Sequence, residues 1–385
     1  MKVDKTIFYL TIFLMSMSVV FVYSLSVYTT TRYNYSEYHF LLRQFFAVFI
    51  GIISMWYIST LDPDKHFNNI GMTLFLVFIL LMGIMHFFPS NYVIQINGAK
   101  RWIKTPLGLS LAPVEFFKIG FIYFLAWSFS RKIKLSYEIS FKDDIKRFSP
   151  YFILFFIIMY LVAIMQNDFG QVLVMGLVLL IMGLMAGISS RLFLTTSLLG
   201  LTAFLYITLH NPNRLHRYQQ WFSDFQALFL KILPLSWQEK LVIPDTKTQI
   251  SYSYDAIING GFFGTGVGNG VIKLGFLPEI HTDFILSGIA EEIGSLGLIM
   301  IVIVYFTIIF RILKIANRLE NKIYSNFAFG VALLIAISFF LNAFGITGVI
   351  PIKGIAVPLM SYGGSSMVAN SIAIGMVLMI SKRVR

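Results

Sequence analysis

The stretch FILSGIAEEIGSLGLIMIVIVYFTIIF, residues 284 to 310, decides the class of this protein. Apart from two adjacent glutamates it carries no charge, and it is longer than the ~20 apolar residues an α-helix needs to cross the hydrocarbon core of a bilayer. Similar runs recur along the chain. Of its 385 residues, 57% are hydrophobic and 12% charged, about half the charged share of a soluble protein, so an ordinary soluble domain is excluded. A β-barrel would show segments of about ten residues with alternating polarity, and no such alternation dominates. The composition predicts an all-α polytopic membrane protein.

Ten spans can be drawn: residues 7 to 27, 44 to 60, 69 to 88, 112 to 128, 150 to 165, 170 to 189, 192 to 210, 284 to 310, 326 to 345 and 363 to 380. An even number puts both termini on one side. The dense short basic segments RKIKLSYEISFKDDIKR (131 to 147) and RILKIANRLENK (311 to 322) fall on that side, and short Lys/Arg-rich connections stay in the cytoplasm. Both termini are therefore expected to be cytoplasmic. The net charge of +12 is read as this topological signal, with no nucleic acid implied. The first apolar run is too long for a signal-peptide core and lacks a small-residue cleavage site, so it is expected to stay as a helix. With no cysteine, disulfides, thiol nucleophiles and cysteine metal sites are excluded. No repeat or linker interrupts the pattern, which predicts a single membrane domain over residues 1 to 385.

The one long connection, about 211 to 283, falls between the seventh and eighth spans on the extracytoplasmic side. Its first part sets Tyr218, Trp221, Phe222, Phe225, Leu228, Phe229 and Ile232 at helical spacing, with Arg214, Arg217 and Lys231 nearby. That pattern suits an interfacial helix or a lid packed on the bundle. Its second part, NGGFFGTGVGNG (259 to 270), lacks the preceding strand that a nucleotide-binding loop requires. Its glycines are expected to let the backbone turn tightly or approach a ligand or another helix.

Ionisable residues inside spans cost at least about 2.5 kcal/mol each at mid-bilayer and are kept for pairing or function. Glu115 and Lys118 in LAPVEFFKIGF stand three apart, on one helix face. Asp168, in MQNDFGQ, sits at a tight connection and reads as a helix cap. Glu291 and Glu292 point about 100° apart on a helix, so at most one aims into a given cavity. The run PIKGIAVPLMSYGGSSM (351 to 367) is rich in helix breakers, which at membrane depth are tolerated only inside protein or beside a wet cavity; Lys353 within it is a candidate anion contact. In LPEIHTDFI (277 to 285), Glu279, His281 and Asp283 fall within five residues. Three readings stay open for Asp283: a helix cap, a general base at the water boundary, or a metal ligand together with His281 and Glu279, whose spacing does not converge on one helix face.

NGAKRWI (97 to 103), APVEFFK (112 to 118), QNDFG (166 to 170), LPEIHTDFI and SYGGSS (361 to 366) together resemble the motifs of the SEDS family (shape, elongation, division and sporulation), which includes RodA and FtsW. The match runs from about Gln44 to the C-terminus. Ala112, Val114 and Asn167 stand where the family usually has Gln, Ser and Pro. Lys273 and Lys353 look more like the FtsW branch than the RodA branch. The resemblance implies a peptidoglycan glycosyltransferase of the bacterial cytoplasmic (inner) membrane, placed at the division septum. It would polymerise lipid II with a class B penicillin-binding protein and other division-complex membrane proteins. On this resemblance Asp283 is the catalytic aspartate, and Glu115 with Lys118 the functionally important intramembrane pair. Arg101, Lys273 and Lys353 would face the pyrophosphate, with or without a divalent cation (Mg or Mn), and Ser361 and Ser365 are further substrate contacts. Glu279, His281, Asp168 and Glu292 would support the site. The rival readings are a lipid II flippase, a RodA-type elongation polymerase and a non-catalytic scaffold.

Overall fold

Long helices follow one another at the positions the apolar runs mark. The structure, a computed structural model, describes residues 3–89, 91–96, 99–105, 110–133, 140–209, 221–222, 248–278, 280–352 and 354–384. The long helices are α1 (Lys5–Leu25), α3 (His39–Thr60), α4 (Pro63–Ile84), α5 (Pro113–Lys132), α6 (Phe141–Met159), α7 (Phe169–Ala186), α8 (Ser190–Leu209), α10 (Ile285–Arg318), α11 (Lys322–Ile346) and α12 (Gly364–Ser381). Two shorter ones, α2 (Val27–Arg32) and α9 (Gln249–Gly260), lie in connections. Eight of the long helices are apolar enough to cross a membrane by length and composition; α5 and α8 are the others. Each of the ten spans drawn from sequence coincides with one long helix. Of the predicted interfacial segment, all but residues 221–222 lies outside the described residues.

Burial sorts the helices into a centre and a rim. The apolar window of α12 is 72% buried and that of α11 61%, against 28% for α4 and for α6. Large side chains such as Phe45, Phe49 and Trp56 on α3 point outward, as they do where the solvent is lipid. Small residues let backbones touch: a Cβ on Gly120 of α5 would stand 2.3 Å from the Phe75 nitrogen of α4, so only glycine permits that crossing.

Both termini meet at one end of the bundle. Asp4 caps α1 by accepting from the Thr6 and Ile7 amides and pairs with Arg311 at 2.9 Å. Arg383 pairs with Asp62 and Asp64 between α3 and α4. At the other end is a feature that the all-helical expectation lacks, an antiparallel sheet of β1 (Val93–Ile96), β2 (Ala99–Lys104) and β3 (Ser110–Leu111). Its register sets Val93 opposite Ile103 and Ile94 opposite Trp102. These β-branched and aromatic residues pack well on a pleated surface, and the segment is too short for a span, so pairing strands satisfies its amides.

Helix α10 is broken at Gly294 (φ 71°, ψ 178°), and the glycine-rich run after α9 lies across the break. The Thr265 and Gly266 amides donate to the Glu291 and Glu292 carbonyls, and the Ser295 and Leu296 amides donate to Gly261 and Phe262. A Cβ on Gly264 would come within 2.3 Å of the Glu292 oxygen. The expectation of a close approach to another helix is met here, and the loop supplies the hydrogen bonds that the break removes.

Candidate active site

Asp283 stands one residue before the N-cap of α10. The cap is Phe284, which makes no side-chain cap hydrogen bond, so Asp283 lies near the cap, one residue ahead of it. The aspartate is half-buried. Its turn is tied through three successive carbonyls, two to the breaker-rich segment and one to α11: the Tyr362 amide donates to the His281 carbonyl at 3.0 Å, Ser361 Oγ to Thr282 at 2.7 Å and Asn342 Nδ2 to Asp283 at 2.6 Å. Gly354, at φ 66°, passes so close that a Cβ there would lie 3.2 Å from Asp283 Oδ2. A left-handed glycine thus lets the facing chain approach the carboxylate. Lys353, beside it, and Glu279 both lie outside the described residues.

His281 is buried between Phe40 and Tyr362, at ring-centroid distances of 4.9 and 5.6 Å. Burial lowers its pKa to about 4, so it is neutral at pH 7, and its Nδ1 has no hydrogen-bond partner among the described residues. Its ring therefore fills apolar space between Phe40 and Tyr362. Tyr362 leads to a residue that sequence reasoning missed. Arg43 on α3 lies beside it, and the two line a groove of about 240 Å³ with Thr105, Ser110, Phe116 and Ser365. Only a lone arginine near the start of a span marked it in sequence.

Several predicted substrate contacts have other partners. Lys273 is buried and pairs with Glu292 at 2.7 Å while donating to Ser24 Oγ at 3.0 Å. Its charge is thus taken up by protein in this structure, and moving a buried ammonium out of its pair would strand the Glu292 carboxylate. Glu291, the other glutamate of the doublet, accepts from the Val271 and Ile272 amides. Arg101 donates to the Gln166 and Asn167 carbonyls at 2.7 and 2.5 Å and lies 3.9 Å from Asp168, so it too holds protein. Ser365 accepts from the Ala112 amide and donates to Ser110; Ser361 accepts from the Val357 amide as well as binding Thr282. Both serines clip backbone segments together.

The intramembrane pair is formed. Glu115 and Lys118 are 2.9 Å apart and buried, and Gln171 bridges them, accepting from Lys118 at 2.8 Å and donating to Glu115 at 3.0 Å. Asp168 caps α7 by accepting from the Gln171 amide, so the cap reading holds and the capped turn aims Gln171 at the pair. Asn167, ahead of it, has φ 51°, which proline cannot adopt; the departure from the family's usual residue has a local backbone reason. Among the described residues no group of three His, Cys, Asp or Glu gathers to hold a metal ion.

The chain matches the profile of the FtsW/RodA/SpoVE cell cycle proteins over residues 4–385. It is 42% identical to the probable peptidoglycan glycosyltransferase FtsW of Helicobacter pylori, covering 99% of both chains. To the protein of the same name from Bacillus subtilis it is 30% identical, over 99% of this chain and 91% of the relative. Among solved structures, a chain in a study of polymerization and crosslinking by a peptidoglycan synthase complex superposes with a TM-score of 0.72 at 20% identity, covering 99% and 98% of the two chains. The rod shape determining protein RodA of Thermus thermophilus superposes at 0.67 and 20% identity, covering 100% and 98%. Those two likenesses show the shared fold. With the spans, the pinned Asp283 turn and the Glu115–Lys118 pair in place, this multi-pass membrane protein belongs to the FtsW/RodA/SpoVE family of cell cycle proteins.

Proposed function

We propose that this chain is a peptidoglycan glycosyltransferase that polymerises lipid II at the outer face of the bacterial cytoplasmic membrane during division, with Asp283 as general base. The observation that carries the proposal is the triple backbone tether of the Asp283 turn. A helix cap needs no such support, whereas a base must hold its geometry through the reaction. The carboxylate takes the proton from the 4-hydroxyl of the acceptor sugar, whose oxygen attacks the anomeric carbon of the donor. The bond from that carbon to the pyrophosphate breaks, and the lipid pyrophosphate leaves. Developing negative charge on the leaving group is stabilised by cations; Arg43 in the adjoining groove and Lys353 are the side chains assigned to it. The names of the full-length relatives support the activity and the division role over the elongation one. A class B penicillin-binding protein and other membrane proteins of the division complex are the proposed partners, and the septum the proposed site of action.

The bridged Glu115–Lys118 pair inside the bundle favours a second reading, a lipid II flippase. One assay separates the two. Purified protein, with its partner made transpeptidase-defective, is given labelled lipid II in detergent, where transport has no meaning. The enzyme makes glycan strands, and Asp283→Asn lowers the rate by about 10²–10⁴-fold, the usual worth of a general base, while remaining folded and partner-bound. Equal polymer from both proteins would overturn the role of Asp283, and none from native protein would favour transport.

A further inference from the structure

Asn342 is a polar residue on the buried face of an apolar spanning helix, α11, and is only 5% exposed. A polar side chain in such a place is kept for what it binds. Its Nδ2 donates to two backbone carbonyls, that of Asp283 at 2.6 Å and that of Ile355 at 2.8 Å. Carbonyls only accept, so the amide has to turn its nitrogen toward them, and the two N–H groups of that nitrogen are both engaged. Chemistry as well as space fixes the orientation of this side chain.

The two carbonyls belong to chains that meet across the proposed base. Asp283 lies ahead of α10, and Ile355 follows Gly354, where a Cβ would stand 3.2 Å from Asp283 Oδ2. Both chains are outside helix and strand at these points, so no hydrogen-bond ladder of their own fixes their separation. The Tyr362 amide and Ser361 Oγ tie the same two chains to each other, which leaves them free to shift together. Asn342 refers both of them to α11, whose apolar window is 61% buried. A side chain on a packed helix is placed more precisely than one on a loop. At a reacting group that precision matters, since a displacement of about 1 Å can cost about 10²-fold in rate.

We propose that Asn342 is a positioning residue for polymerisation: by holding the Asp283 and Ile355 carbonyls on one nitrogen, it sets the gap between the base and the chain that faces it. The role rests on Asp283 acting as general base. Asn342 touches the backbone of that residue and none of the reacting atoms.

Polymerisation of labelled lipid II by the full chain, with its transpeptidase-defective partner, tests this when kcat and KM are read separately. Asn342→Leu keeps the size of the side chain and removes both donors, and Asn342→Ser keeps a hydroxyl but shortens the reach. Each should lower kcat by about 10–100-fold and change KM by less than about threefold, in protein whose melting curve and partner binding show that it is folded. If Asn342→Leu fails to fold, Asn342→Ser carries the measurement. Ser338→Ala, at a buried polar residue one turn earlier on α11, should keep kcat within about twofold. In the Asp283→Asn background, Asn342→Leu or Asn342→Ser should lower the residual rate by less than about threefold, because no base is left to misplace. A native kcat in the folded variants overturns the proposal, as does an equal loss in Ser338→Ala. The same fold-loss in the Asp283→Asn background also overturns it, marking a purely structural role. Failure of the base reading shows separately, as native activity in Asp283→Asn alone.

Discussion

A histidine two residues from the proposed base is held neutral by burial, and that has a thermodynamic consequence. Unfolded, His281 takes a proton near pH 6.5; folded, it does so only near pH 4. Between those values the unfolded state binds more protons, so stability is fully present above pH 6.5 and falls as pH drops toward 4. Each pKa unit is worth about 1.4 kcal/mol. His281→Phe keeps ring contacts with Phe40 and Tyr362 and removes the titration. Melting in detergent at pH 7.5 and 5 should show a smaller acid loss in this variant than in native protein, by roughly 2 kcal/mol; equal slopes would assign the acid loss to other groups. The Glu115–Lys118 pair obeys the rule for buried ions, in which removing one partner costs about 3–5 kcal/mol while replacing both costs little. Glu115→Gln should melt well below native protein, and Glu115→Gln with Lys118→Met should recover most of the difference. If the double variant is no more stable than the single, the two residues are not coupled in this way. The spacing of this pair was legible in sequence because three residues along a helix return to one face. Its bridge, Gln171, was not, since it arrives from another helix fifty-three residues beyond Lys118.

Among the elements, the break in α10 decides most about the site's surroundings. Gly294 lies at φ 71°, and a Cβ there would meet the Phe262 carbonyl oxygen at 2.4 Å. Gly294→Ala carries both a backbone penalty of about 1–3 kcal/mol and this clash, and it should displace the glycine-rich loop that also carries Lys273. The expected outcome is a lower melting temperature together with reduced polymerisation. An unchanged melting temperature would mean that the loop and helix can separate freely. The apolar run of residues 284 to 310 announced a helix but not its break, because hydropathy is blind to a single glycine whose hydrogen bonds are replaced by another segment. The doublet Glu291 and Glu292 is explained by the same meeting: one takes loop amides, the other takes Lys273. From sequence, Lys273 looked like a substrate contact because nothing in its neighbourhood revealed the Glu292 carboxylate nineteen residues on.

For the molecule as a whole, the absence of cysteine makes the orientation directly measurable. Lys65→Cys lies at the end that gathers the termini, and Tyr92→Cys at the sheet end; both positions are exposed. In intact cells a membrane-impermeant maleimide should label Tyr92→Cys and leave Lys65→Cys unlabelled until the membrane is opened. The reverse pattern would invert the topology. Sequence by itself determined the membrane class, the positions of the ten helices, the common side of the termini and the pairing of Glu115 with Lys118. All of these follow from local periodicity and from the cost of burying charge in hydrocarbon. Only the tertiary structure decided which cations are already spent on protein partners, that His281 is buried and neutral, that Arg43 faces the groove, and that the glycine-rich loop mends a broken helix. Those features depend on contacts between residues far apart in the chain, and hydropathy and spacing carry no record of which distant segments meet.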